Sequence, residues 1–140
     1  MFKKLLSICL SLVLAFPFCM PVFAEDMDAP VDEPVVEEYT YVSSINTNLV
    51  IRNGNASASV TVSDLKKNTT KIHVKMTLQK KSGASWNNVA SWEKTTTTHY
   101  LSLSKSRAVG KGTYRVKCVT TAYKDSISET ATTYSDTATY

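Results

Sequence analysis

The chain is poor in the residues from which most catalytic and metal-binding sites are built. Of its three cysteines, Cys9 and Cys19 fall within the first 24 residues, leaving Cys118 alone in the remainder. Its only histidines, His73 and His99, have no companions at zinc-like spacing, so no metal or other cofactor is expected. Glycine occurs four times and never as a phosphate-cradling loop, and neither GxSxG nor HExxH is present. Glycosidase chemistry needs two placed carboxylates in a cleft. After residue 38 the chain offers only Asp64, Glu93, Asp125, Glu129 and Asp136. These shortages argue against an enzyme.

Long apolar runs are also missing, except at the start. Lys3 and Lys4 precede the apolar stretch "LLSICLSLVLAF", and "VFA" places Val22 and Ala24 where a signal peptidase reads small residues. Residues 1–24 are therefore read as a signal peptide. Pro17 interrupts a stretch already too short for a spanning helix. The "FPF" before Cys19 lacks the small residue that a lipidation site wants next to its cysteine. The expectation is a secreted, extracellular product with no stable membrane insertion after cleavage. An exported domain with a single cysteine cannot form an internal disulfide, so its stability must come from an apolar core.

Charge is unevenly divided along the chain. Residues 25–38, "EDMDAPVDEPVVEE", hold seven acids, two prolines and no base, the composition of a disordered acidic leader. Residues 39–140 hold fourteen Lys/Arg against five Asp/Glu. Such an excess can attract anionic cell-wall polymers, acidic glycans or a surface protein. The lysines are scattered rather than blocked, which also fits an ordinary solvated surface. Nucleic acid is not expected as a partner.

From residue 39 onward the pattern is that of strands. Ser and Thr supply 32 of the 116 residues that follow Ala24, and branched threonine suits a pleated outer face. "INTNLVIR" (45–52) puts Ile45, Leu49 and Ile51 on one side, "NGN" signals a tight hairpin, and "ASASVTV" (56–62) returns. "KIHVKMTLQ" (71–79) alternates most cleanly, with Ile72, Val74, Met76 and Leu78 inward and a polar face toward solvent. "WNNVASWEK" (86–94), "HYLSLS" (99–104), "GTYRVKCVTTAY" (112–123) and "SETATTYS" (128–135) complete the series. The expected fold is all-β: an antiparallel two-sheet sandwich of about seven strands, immunoglobulin-like, over residues 39–140.

"LQKKSGASWNNVASW", the run ending in "GTYRVKCVTTAY" and the closing "SETATTYS" resemble a family of small secreted proteins of Gram-positive gut bacteria with no assigned function. More loosely, the "GTYRVKC" strand is similar to immunoglobulin-like and fibronectin-like sandwiches, in which a tyrosine early in strand F locks a corner. That resemblance implies a corner role for Tyr114. It departs from the immunoglobulin pattern two residues later, where Val116 stands in place of the disulfide cysteine.

Cys118 shares the face of Tyr114, Val116, Thr120 and Ala122, and reads as a small buried hydrophobe rather than a nucleophile. Trp86 and Trp92 lie an even number apart and face the same way unless a bulge at "NN" separates them. An exposed tryptophan would offer a platform to a sugar, whereas a buried one would fill the core. The function expected is that of a secreted, non-catalytic binding module. Trp86, Trp92, Lys80, Lys81, Lys105, Arg107 and Lys111 are its candidate ligand contacts. Two alternatives stand beside it: a structural protein that self-associates through edge strands, and a small extracellular hydrolase or toxin working from an enclosed polar cleft.

Overall fold

The computed structural model describes residues 39–140, so the signal peptide and acidic leader expected before them lie outside the described residues. Eight strands follow in order: β1 (Ser44–Arg52), β2 (Asn55–Ser63), β3 (Lys71–Ser82), β4 (Ser85–Thr96), β5 (Tyr100–Ala108), β6 (Thr113–Lys124), β7 (Ile127–Tyr134) and β8 (Ala138–Thr139). They form two antiparallel sheets. One has the order β1-β2-β5; the other runs β4-β3-β6-β7, with β8 pairing β6 beyond the end of β7. The fold is all-β, as the alternation predicts. β8 is too short to show a period of two and is the strand beyond the seven expected.

Local chemistry accounts for the connections. Between β1 and β2, Asn53 (φ 51°) and Gly54 (φ 71°) both take positive φ, as a two-residue hairpin turn of the right twist requires. Gly54 is constrained twice, because a Cβ there would meet the Tyr140 ring at 3.2 Å. The β5–β6 corner is closed by Tyr114, whose buried hydroxyl donates to Gly110 O at 2.9 Å. This is the tyrosine-corner bond. Ser135 bridges the gap between β7 and β8. Its N–H donates to Val116 O at 3.0 Å, and its hydroxyl accepts from Val116 N at 2.8 Å.

The core lies between the sheets. Ala56, Ala58, Val60 and Val62 of β2, with Leu101 and Leu103 of β5, meet Ile72, Val74, Met76 and Leu78 of β3 and Tyr114, Val116, Cys118 and Ala122 of β6. Small alanines on one sheet accommodate larger side chains on the other. Burying each large aliphatic side chain stabilises the fold by about 1.5–3 kcal/mol.

Both open sides of the sandwich carry features that blunt strand addition. At the β4–β5 side, Lys94 stands opposite inward-facing Val74 and donates from Nζ to Ser102 O of β5 at 2.8 Å. At the β1–β7 side, the Thr47 and Thr133 hydroxyls share a hydrogen bond of 2.7 Å. There the entering chain is also tied down, with Thr40 and Tyr41 N–H groups donating to the two oxygens of Glu129 at 3.0 and 2.9 Å.

Candidate functional site

The antiparallel strands β1 to β6, of 9 to 12 residues each, repeatedly return the chain to the same two ends. The end holding the β1–β2, β3–β4 and β5–β6 turns gathers eight of the fourteen cations of residues 39–140. Arg52, Lys80 and Lys81 come from the first two hairpins. Lys105, Arg107, Lys111, Arg115 and Lys117 come from β5, the following loop and the start of β6. One acid, Asp136, accompanies them, giving a formal charge of +7. The opposite end has six cations and four acids, a formal +2. Lysines scattered in sequence are thus collected by the topology.

The outer face of the five-stranded sheet enters this cationic end as a row of interlocked side chains. The Gln79 amide donates from Nε2 to Asn88 Oδ1 and accepts at Oε1 from Arg115 Nε, both at 2.9 Å. The Arg115 guanidinium carbon lies 4.2 Å from the centre of the Trp86 ring and 4.4 Å from that of Tyr134. Trp86 arrives from β4 and Tyr134 from β7, strands on opposite sides of β6, so the rings clamp the cation from both flanks. In the next row Thr77 and Ser91 share a hydroxyl bond of 2.7 Å, and Lys117 pairs in register with Tyr134. These networks leave Thr77 and Gln79 only 7% exposed. This corrects the expectation of a wholly solvated outer face on β3: neighbouring side chains cover its lower half.

The candidate contacts divide clearly. A register shift between Leu78 and Gln79 leaves Val89 as an extra residue in β4 and puts the tryptophans on opposite faces. Trp86 stands opposite outward-facing Lys81. Trp92 stands opposite buried Met76 and is half-buried, packed against the core. Lys81, Lys105, Arg107 and Lys111 are exposed at the cationic end. Lys80 is half-buried there, crossing over Gly112, with Nζ 5.7 Å from the Tyr114 ring centre. Lys111 lies over Tyr140 at 4.9 Å. Arg115 and Tyr134 are the members of this cluster that sequence reasoning missed. Their only signal was outward parity on their strands, because the clamp exists only once β4 and β7 flank β6.

Three of the four acids at the other end, Asp64, Glu93 and Glu129, are engaged by their own neighbours. Asp64 is buried; its Oδ2 accepts from Thr69 N–H at 2.7 Å and Thr69 hydroxyl at 2.9 Å, while Oδ1 has no partner. Burial opposes ionisation of Asp64. The Thr69 N–H and hydroxyl, the Asn68 N–H and nearby His99 outweigh it and hold the carboxyl below its ordinary value. Glu93 is held by Lys75 at 3.3 Å and His73 at 3.6 Å, which places His73 outward.

Cys118 is fully buried and unpaired. Burial pushes its thiol up, against the lowering hydrogen bonds of Thr120, Thr47 and Thr133, so the thiolate form is disfavoured. Among the described residues, no group of three or more His, Cys, Asp or Glu could hold a metal ion. On the outer face of the three-stranded sheet, a depression of about 400 Å³ is lined by Val50, Arg52, Asn55 and Ser57, none of them a typical acid–base residue.

No protein-family model and no curated protein matches the chain. Among solved structures, the chain is similar to wild-type OgpA from Akkermansia muciniphila in its crystal structure. The sequence identity is 7% and the TM-score 0.38, over 69% of this chain and 28% of that one. The chain therefore spans little more than a quarter of OgpA's length. The likeness is remote and concerns the β-sandwich alone.

Proposed function

We propose that this protein is a secreted, non-catalytic binding module whose ligand is an acidic extracellular polysaccharide, held at the cationic end of the sandwich. The observation that carries this reading is the formal +7 at one end against +2 at the other, in a fold whose remaining acids are largely engaged by their own neighbours. A concentrated cationic surface attracts polyanions over several ångströms and loses them as salt screens the field. The signal-like amino terminus supports an extracellular setting. The buried thiol and the dispersed carboxylates support a role without chemistry. Self-association through edges is the weaker alternative, because Lys94 and the docked 39–43 segment obstruct both sides.

Titration of the purified chain with polygalacturonate, dextran sulfate and neutral dextran, at low and high salt, tests the proposal. Both acidic polymers are expected to bind at low salt and dissociate at high salt, with neutral dextran ignored. Failure to bind either acidic polymer at low salt would sink the reading.

A further inference from the structure

We infer that Arg115, clamped between Trp86 and Tyr134, is a preorganised receptor for one oxyanion substituent, a carboxylate or sulfate, carried on a sugar of the polymer. The inference rests on the functional reading above and gives it a specific anchor.

An exposed arginine ordinarily samples many rotamers, and binding must restrict them. Here the guanidinium carbon already lies over two aromatic rings, 4.2 Å from the centre of Trp86 and 4.4 Å from that of Tyr134. Gln79 consumes Nε and is itself oriented by Asn88. Among the described residues the Nε–H bond to Gln79 is the hydrogen bond that Arg115 makes, it forms no ion pair, and the side chain is only half-buried. A guanidinium presented in this way offers parallel N–H donors that match the two oxygens of a carboxylate or sulfate. Among the described residues no carboxylate forms an ion pair with Arg115, and Asp136, the one acid at this end, forms none either. Glu93, the acid on the outer face of the sheet, is already engaged by Lys75 and His73. Lys81 and Lys117 flank the clamp from neighbouring positions and raise the local potential.

The surroundings favour a sugar as the carrier. Among the described residues the exposed large hydrophobic side chains are Val50, Leu65, Tyr100, Ile127, Tyr134 and Tyr140. Of these, only Tyr134 belongs to this face, so little apolar surface is available to a lipid chain. Exposed Asn88 and Ser91 lie beside the clamp and present polar groups to a polyhydroxylated ligand, above the buried Thr77 and Gln79.

Arg115→Lys and Lys117→Gln separate a shaped site from diffuse charge. Arg115→Lys keeps the charge but loses the guanidinium fork over the two rings. It is expected to weaken polygalacturonate and dextran sulfate by about tenfold. Lys117→Gln removes a charge and is expected to cost about twofold. An Arg115→Lys protein that folds and binds both polymers like the wild type overturns the site while leaving the polyanion reading intact. If wild type binds no polymer, or if Arg115→Lys fails to fold, a second measurement on the wild-type chain decides. Galacturonate or sulfate, added at constant ionic strength against chloride, is expected to shift the Arg115 Nε–H and Trp86 indole N–H resonances saturably. No shift beyond that of chloride overturns the inference.

Discussion

The two ends of the sandwich use charge in opposite ways. At the end formed by the β2–β3, β4–β5 and β6–β7 connections, Asp64 organises a loop, Glu129 ties down the entering chain and Glu93 is engaged by two bases. At the other end, cations outnumber acids eight to one, and the exposed lysines there have no carboxylate within ion-pair distance among the described residues. The difference teaches where to look for each role. A charge whose partners lie within the fold contributes to stability, whereas a charge held in place without a counter-ion remains free to act on a ligand.

Substitutions at the two ends should therefore separate stability from binding. The largest effect on stability is expected at Asp64. Asp64→Ala leaves the buried Thr69 donors unsatisfied and should cost about 2–3 kcal/mol in urea unfolding, with polymer binding unchanged in the folded fraction. The acid limb follows from the lowered carboxyl of the folded state. Its contribution is present above the unfolded pKa of about 3.9 and is lost as pH falls through the folded value. Unfolding midpoints measured between pH 7 and pH 2 should fall more steeply for wild type than for Asp64→Asn. Parallel curves would remove Asp64 from the structural account.

Tyr114→Phe deletes the corner hydroxyl beneath the cationic end and should cost about 1 kcal/mol. Cys118→Ala should also cost about 1 kcal/mol by thinning the core, and should leave polymer binding unaltered. The native thiol should react with Ellman's reagent only at the rate of local opening; immediate labelling would contradict its buried position. The smallest stability change is expected for Lys105→Ala with Arg107→Ala. These exposed changes should leave the unfolding midpoint in place while reducing the salt dependence of polymer binding.

Much of this architecture was legible from alternation, because period-two burial on β2, β3 and β6 depends on neighbours in sequence. The Asn53-Gly54 turn carried its own chemistry, and Tyr114 announced the corner through its place at the start of β6. The split of the tryptophans was less accessible. It turns on Val89, an extra residue whose effect appears only when β4 is registered against β3. The Arg115 clamp was further out of reach, since it joins positions 86, 115 and 134 from three strands. Strand lengths gathered Lys81, Lys105 and Lys111 at one end, although nothing in their linear spacing marks them as a group.

The measurement that tests the central claim most directly compares two variants of equal charge. One carries Lys81→Gln, Lys105→Gln and Lys111→Gln at the cationic end; the other carries Lys66→Gln, Lys67→Gln and Lys124→Gln at the opposite end. Both lose three positive charges and are titrated with polygalacturonate at the same low salt. The first should lose most of its affinity and the second should bind nearly as the wild type does. Equal losses in the two would show that net charge alone governs binding and would contradict a site at one end.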